Sequence, residues 1–154
     1  MSQRRPEILI LGVGNILMGD DGVGVRVLER LRELSLPETV ELVDGGTAGA
    51  DLVDILADRR KAIVIDAVDV GAEPGSIHRY QVDAWIEHAQ QVISLHQVGL
   101  GQALSMVRLI GAAPREWVVF GVQIQTIEPS LELSGPVAKS IDLLVQDVLK
   151  ELNS

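Results

Sequence analysis

Two adjacent aspartates, Asp20 and Asp21, are the first residues of the sequence whose type and position could do chemistry. They lie in the glycine-rich segment 12–22, GVGNILMGDDG, which follows a short apolar run and leads into a helical pattern. One aspartate at a helix start can cap free backbone N–H groups and interact favourably with the helix dipole. The second carboxylate could then point beyond the strand as a ligand or an acid. Capping alone and a functional pair both remain open on this pattern.

Two further aspartates follow apolar runs. Asp66 closes the run 62–65, and Asp44 closes the run 40–43 just before Gly45-Gly46-Thr47. In open α/β sheets the carboxyl ends of parallel strands meet at one edge, where ligands bind. Aspartates just past strand ends also cap turns in proteins that have no site there. The convergence of these carboxylates on one edge, more than any single one of them, therefore favours a functional site.

Of the three histidines, His96 is the candidate for a site. His78 falls in an edge-strand pattern and His88 in a polar stretch, so both are expected at the surface. The spacing of residues 94–97, Ser-Leu-His-Gln, is typical of a capping box and places His96 in the first turn of a helix. A helix N-terminus disfavours the imidazolium and leaves the neutral ring that a metal requires. A purely structural histidine is the alternative.

Several kinds of chemistry are excluded by composition and motif. The chain has no cysteine, so it has no disulfide, thiol nucleophile, thiolate zinc site or cysteine-bound iron–sulfur cluster. It also lacks the HExxH and GxSxG patterns of zinc proteases and serine hydrolases. A dinucleotide fingerprint in the first loop would need a third glycine where Leu17 stands, and paired carboxylates would repel a phosphate. What remains is a site of carboxylates and one imidazole, which suits a borderline metal ion.

The elements that must position these residues alternate between strands and helices. Only 3% of the 154 residues are aromatic, so a core of Val, Ile, Leu and Ala is expected, as in buried parallel strands. Apolar runs, interrupted only by Glu41, predict four such strands, at residues 8–11, 40–43, 62–65 and 118–122. Between the first two lies a helix that ends before Pro37, with an apolar stripe at Val23, Val27, Leu31 and Leu34. The first unit is therefore βαβ.

The rest of the pattern completes one domain over residues 1–154. The expected elements are a short helix at 50–57, an antiparallel edge strand at 76–82, a helix at 95–110 closed by Gly111, and a last helix from Ser134 whose buried stripe is Val137, Ile141, Leu144 and Val148. We predict an α/β fold, a three-layer α/β/α sandwich around a twisted, mostly parallel five-stranded sheet.

Charge and hydropathy restrict the partners. Thirteen basic and twenty-two acidic residues give a formal charge of −9, and the largest basic cluster is Arg59-Arg60-Lys61, so nucleic acid is not expected to bind. The apolar run at residues 8–11 is far too short for a membrane span or a signal peptide. The expectation is a cytoplasmic, monomeric protein with no membrane partner.

Four segments, in this order, resemble the [NiFe]-hydrogenase maturation protease family: LGVGNILMGDDGVG, VDGGTAG, VIDAVD and SLHQVGL. The segment GVQIQTIEPSLELSGPV is similar to the family's late strand and loop. The resemblance implies a trio of Asp21, Asp66 and His96 that is both catalytic and metal-binding. Asp20 and Asn15 are possible secondary members of the site. The segment Asp44-Gly45-Gly46-Thr47 resembles the family's proposed substrate-recognition loop.

The same resemblance implies an aspartic or metal-type endopeptidase. Its expected reaction removes the C-terminal extension of a [NiFe]-hydrogenase large-subunit precursor after nickel insertion. The nickel is carried by the substrate and addressed by the protease, and other divalent ions are expected to occupy the site in vitro. Two alternatives remain: a nickel-sensing maturation chaperone that binds the precursor without cutting it, and, less favoured, a nucleotide-binding α/β domain.

Overall fold

A five-stranded sheet lies between two layers of helices in the computed structural model, which describes residues 5–49, 51–89 and 95–154, without the side chains of residues 88, 89, 95 and 96. The strands are β1 (Ile8–Val13), β2 (Val40–Gly46), β3 (Lys61–Val68), β4 (Ile77–Gln81) and β5 (Glu116–Gln123). The helices are α1 (Val23–Arg32), α2 (Leu52–Leu56), α3 (Val82–Ala89), α4 (Leu95–Leu109) and α5 (Gly135–Leu152), and a 3-10 turn at Gly19–Gly22 precedes α1.

The sheet order is β2-β1-β3-β5-β4. Neighbouring strands run parallel except β4, which pairs antiparallel with β5, so the predicted mixed sheet with one antiparallel edge strand is confirmed. Gly12 of β1 lies opposite both Asp44 of β2 and Ile65 of β3. The carboxyl ends of these three strands are therefore level, and the loops that follow them meet at one edge.

Alternating side chains of the central strands build two cores. Ile10, Ile63 and Ile65 pack on the face covered by α1 and α5, whereas Leu11 and Val64 pack on the face covered by α2, α3 and α4. Because β1 and β3 are buried on both faces, their sequences read as continuous apolar runs. No helix in the described ranges is long and apolar enough to cross a membrane.

Three details differ from the sequence-based expectations. Helix α1 ends at Arg32, so Leu34 is not part of its buried stripe and is 42% exposed. Helix α3 is absent from the sequence-based expectations, because its apolar residues that pack on the core are only Val82, Trp85 and Ile86, too few for a clear helical period. Both β2 and β3 continue past the apolar run, to Gly46 and Val68, so Asp44 and Asp66 lie within strands.

The C-terminal end of α5 is fixed to the amino-terminal edge of the sheet by two cations. The buried Lys61 donates to the carbonyl oxygen of Glu151 and, at 2.9 Å, to Ser154 Oγ, a favourable place for a cation because helix C-termini are partly negative. Arg79 of β4 donates two hydrogen bonds, of 3.0 and 2.9 Å, to the Glu151 carboxylate. These bonds hold the pKa of Glu151 below its usual value.

We expect Glu151→Gln to lower the free energy of unfolding by about 1 kcal/mol at pH 7, as for a well-oriented, partly exposed ion pair. The pKa of Glu151 is lowered on folding, so its contribution is complete above the usual value of 4.5 and is lost as pH falls through the folded-state pKa. The difference between variant and wild type in urea unfolding should therefore shrink from pH 7 to about pH 3. Glu38→Gln, at an exposed position, is the control. A difference that stays constant with pH would contradict the assignment.

Candidate active site

Two glycines bring the first loop against the end of β3. A Cβ on Gly24 would lie 2.2 Å from the carbonyl oxygen of Ile65 and 2.6 Å from that of Val13, so only glycine lets the start of α1 approach both strands. Gly14 has a φ of +132°, and a Cβ there would lie 2.0 Å from the Asp21 carbonyl oxygen. The 3-10 turn that carries Asp21 consequently contacts β3, the strand that carries Asp66.

Asp21 is buried within this loop, with 4% of its surface exposed. Its Oδ2 accepts a hydrogen bond of 3.1 Å from the backbone N–H of Asn15. The side chain of Asn15 in turn accepts a hydrogen bond of 2.9 Å from the N–H of Leu17. Asn15 therefore shapes the loop and orients the carboxylate through its backbone.

Asp66 is fully buried inside β3, opposite Gly121 of β5. Its Oδ1 accepts a hydrogen bond of 2.7 Å from the N–H of Ala67. The strand does not end at this polar residue because the backbone ladder with β5 continues to Val68. By alternation along β3, Asp66 shares its face with Val64, on the side of the sheet that α4 covers.

The first turn of α4 lies beside this end of β3. The buried Gln97 donates a hydrogen bond of 2.5 Å from Nε2 to the carbonyl oxygen of Ala67, the residue after Asp66. The helix begins at Leu95, which confirms that His96 belongs to a helical first turn. The side chain of His96 is outside the described residues, as are Ser94 of the predicted capping box and the side chain of His88. His78 is half-buried on β4, with its Nε2 2.9 Å from Ser76 Oγ.

The loop after β2 completes the arrangement. The exposed Asp44 accepts a hydrogen bond of 2.8 Å from the N–H of Gly46 at Oδ1, and Gly46 accepts another of 2.8 Å from the N–H of Gly14. Thr47 is exposed and Gly45 is buried. The predicted recognition segment is thus tied to the first loop, with two polar side chains facing solvent beside it.

Asp20 has a different environment from its neighbour. It is buried, and its carboxylate accepts hydrogen bonds from the N–H of Gln125 at 2.9 Å and from both the N–H and the Oγ of Ser134 at 2.7 Å. Ser134 precedes α5, and its hydroxyl bonds Asp20 instead of capping that helix. Asp20 therefore holds the loop between β5 and α5 against the first loop.

Asp21 and Asp66 are both buried below the surface at this edge of the sheet. Among the side chains that the structure describes, no three His, Asp or Glu groups are close enough to hold a metal ion, and the trio with His96 is outside that set. Carboxylates gathered at one edge attract a cation, because a nearby opposite charge favours their ionised form.

Sequence reasoning missed two features of this region. Gln97 links α4 to β3, and its only sequence signal is its place next to His96. The bonds of Asp20 reach residues 105 and 114 positions away, for which the sequence carries no local signal.

Comparison with known proteins gives one consistent result. The family model HycI, described as hydrogenase maturation protease, matches residues 25–151. The chain is 37% identical to the hydrogenase 2 maturation protease of Escherichia coli K12 over 94% of this chain and 90% of that protein. It is also 37% identical to the hydrogenase expression/formation protein HupD of Bradyrhizobium diazoefficiens, covering 94% and 79%.

Solved structures agree with the sequence comparison. The hydrogenase maturating endopeptidase HybD from Escherichia coli superposes with a TM-score of 0.91 at 36% identity, over 96% of this chain and 92% of that one. The hydrogenase 2 maturation peptidase from a Thaumarchaeota archaeon has a TM-score of 0.74 at 38% identity, with coverages of 96% and 98%.

Proposed function

Because the chain belongs to the hydrogenase maturation protease family, we propose that it removes the C-terminal extension from a [NiFe]-hydrogenase large-subunit precursor once nickel has been inserted. The family makes it a peptidase of hydrogenase maturation. One observation supports the proposed cleavage of a nickel-loaded precursor. Four segments meet at the carboxyl edge of the sheet: the first loop, the β2 loop, the end of β3 and the start of α4.

In the proposed reaction, nickel is part of the substrate. The ion is bound by the trio of Asp21, Asp66 and His96. The precursor chain is contacted by the segment Asp44-Gly45-Gly46-Thr47. The nickel polarises the scissile carbonyl or a water molecule. Water adds to the carbonyl carbon, one carboxylate accepts its proton, and the C–N bond then breaks as the leaving amine takes up a proton. The cell compartment in which this occurs is proposed to be the cytoplasm.

Nickel-loaded precursor mixed with the protein should lose the mass of its C-terminal peptide, whereas nickel-free precursor should keep its full mass. Without nickel, nothing in the trio polarises the bond, since these residues form no complete protease machinery on their own. Intact mass spectrometry of the large subunit measures the result, and casein is the control for general proteolysis. Cleavage of nickel-free precursor or of casein would contradict the proposed nickel dependence.

The two alternatives make different predictions. A nickel-sensing chaperone would bind the precursor and leave its mass unchanged. A nucleotide site would need free N–H groups in the first loop, but those of Gly14, Asn15 and Leu17 already donate within the protein. We therefore expect no thermal stabilisation by nucleotides.

A further inference from the structure

We propose that an exposed apolar surface beside the site, here named the edge patch and made of Ile16, Leu17, Ile127 and Leu131, docks the large-subunit precursor during processing. The proposal rests on the function proposed above and adds the surface that selects the substrate. The precursor's contact surface would be apolar at its centre, with Lys or Arg side chains around it.

The two halves of the edge patch belong to loops that are joined through their backbones. Ser130 donates a hydrogen bond of 3.0 Å to the carbonyl oxygen of Leu17, and Gly19 donates one of 2.9 Å to the carbonyl oxygen of Ser130. Arg26 of α1 fixes the other end by donating a hydrogen bond of 2.8 Å to the carbonyl oxygen of Leu131. Asp20 accepts further hydrogen bonds from Gln125 and Ser134, which lie at the start and the end of the loop between β5 and α5. These contacts hold the loops in place without covering their apolar side chains.

The four side chains of the edge patch are all exposed to solvent. Leu17 is 60% and Leu131 65% exposed, with Ile16 and Ile127 also exposed. Large apolar side chains grouped in solvent mark interaction sites more often than scattered ones do. Polar residues would serve a loop without a partner equally well, because these side chains are not needed by the core.

The position of the edge patch beside the candidate site supports the precursor as its partner. Ile16 and Leu17 follow Asn15, whose N–H holds the carboxylate of Asp21. Because Asp21 and Asp66 are buried, a substrate must insert a segment into the edge while its body rests on the surrounding surface. The edge patch is continuous with the first loop and would therefore be covered by the same molecule that presents the scissile bond.

The charged residues near the edge patch indicate which side chains the precursor should carry at the edge of its contact surface. Glu128 and Glu132 are exposed in the loop that carries Ile127 and Leu131, and Asp44 is exposed at the β2 loop. The whole chain has a formal charge of −9. Two glutamates on the loop that carries half of the apolar centre favour a partner surface with the opposite charge and disfavour acidic ones.

The test measures both binding and processing of nickel-loaded large-subunit precursor by the full chain. Leu17→Ser and Leu131→Ser should each raise KM, and Kd for fluorescently labelled precursor, by about tenfold, since each removes a leucine from the interface. The kcat at saturating precursor should be unchanged, because this binding is the same in the ground state and the transition state. Leu109→Ser and Leu143→Ser are matched controls, as these leucines are 80% and 54% exposed outside the edge patch. They should leave both constants unchanged.

A second set of variants acts through charge alone and leaves packing untouched. Glu128→Lys and Glu132→Lys should raise KM several-fold at low salt, and the effect should fade at high salt because exposed charges are screened. Circular dichroism checks that each variant is folded.

The possible outcomes test the docking role of the edge patch separately from the proposed cleavage reaction. Unchanged KM and Kd in the Leu17→Ser/Leu131→Ser double variant, with normal processing by wild type, would overturn the edge patch alone. Binding that depends on the edge patch, without cleavage by wild type, would support the surface and overturn the proposed protease function. A wild-type dimer that the double variant dissociates, seen by sedimentation, would show that a second copy covers the surface and would also overturn the proposal.

Discussion

Asp66→Asn and His96→Ala should each abolish processing of nickel-loaded precursor while the protein remains folded. The amide introduced by Asp66→Asn keeps the shape of the side chain and an oxygen that can accept the hydrogen bond from Ala67, so the strand should persist. The negative charge that would bind nickel is lost, however. Each member of the proposed trio supplies one of three ligands, so losing one should greatly weaken the interaction with the ion. We expect the rate to fall by a factor of about 1,000 or more, as for other residues that act on the reacting centre. Intact mass spectrometry of the precursor over time measures it.

The controls use residues of the same type outside the site. His78→Ala removes a histidine on β4, and Asp142→Asn removes an exposed carboxylate on α5. Both variants should process the precursor at the wild-type rate. A variant at His96 that no longer folds would assign that histidine a structural role, and processing that survives either substitution would remove that residue from the trio.

Asp20→Ala should produce the largest loss of stability among the aspartates of the site. Four hydrogen bonds to a buried carboxylate disappear at once, and the N–H groups of Gln125, Thr126 and Ser134 lose their acceptor. Bonds to a charged group contribute about 1.5 to 3 kcal/mol each, partly recovered when water replaces them, so we expect a loss of about 3 kcal/mol. For a domain of this size, that corresponds to a fall in Tm of roughly 6 to 12 °C.

Asp44→Ala is the matched control, because the exposed Asp44 makes one local hydrogen bond, to the N–H of Gly46. It should cost about 1 kcal/mol or less. Thermal unfolding followed by circular dichroism compares the two variants. If Asp20→Ala unfolds at the wild-type temperature but no longer processes the precursor, Asp20 acts on the substrate and the structural assignment is wrong.

The predictions assign Asp20 a structural role, whereas the neighbouring Asp21 belongs to the proposed nickel-binding trio. The sequence alone could not distinguish these two adjacent aspartates. Both Asp20 and Asp21 precede a helix and follow a glycine-rich turn, so local rules treat them alike. The structure separates them by their partners: Asp21 is held by Asn15, six residues away, and Asp20 by residues of the β5–α5 loop. The proposed assignment of Asp21 to nickel and of Asp20 to support of the loop depends on these contacts.

The strands and most helices were predictable from the sequence because their signals are local. Continuous apolar runs marked β1 and β3, which are buried on both faces, and a stripe at three- and four-residue steps marked α5. The strand ends were less predictable. A single aspartate in an apolar run suggests a boundary, but β3 continues through Asp66 because its backbone bonds to β5 do not depend on the side chain. Likewise α3 is hard to predict, since its apolar pattern is confined to three residues, Val82, Trp85 and Ile86, in a helix of eight.

The sequence by itself determined the class of fold, the family and the set of chemically capable residues, because residue type and local periodicity carry that information. Only the tertiary structure decided which of the segments that carry them meet. The first loop reaches β3 because Gly24 permits contact with the Ile65 carbonyl, and α4 reaches it because Gln97 bonds Ala67. Asp20 joins a loop more than a hundred residues further along the chain. Such contacts depend on how separate elements pack, and no local pattern of side chains specifies their distance.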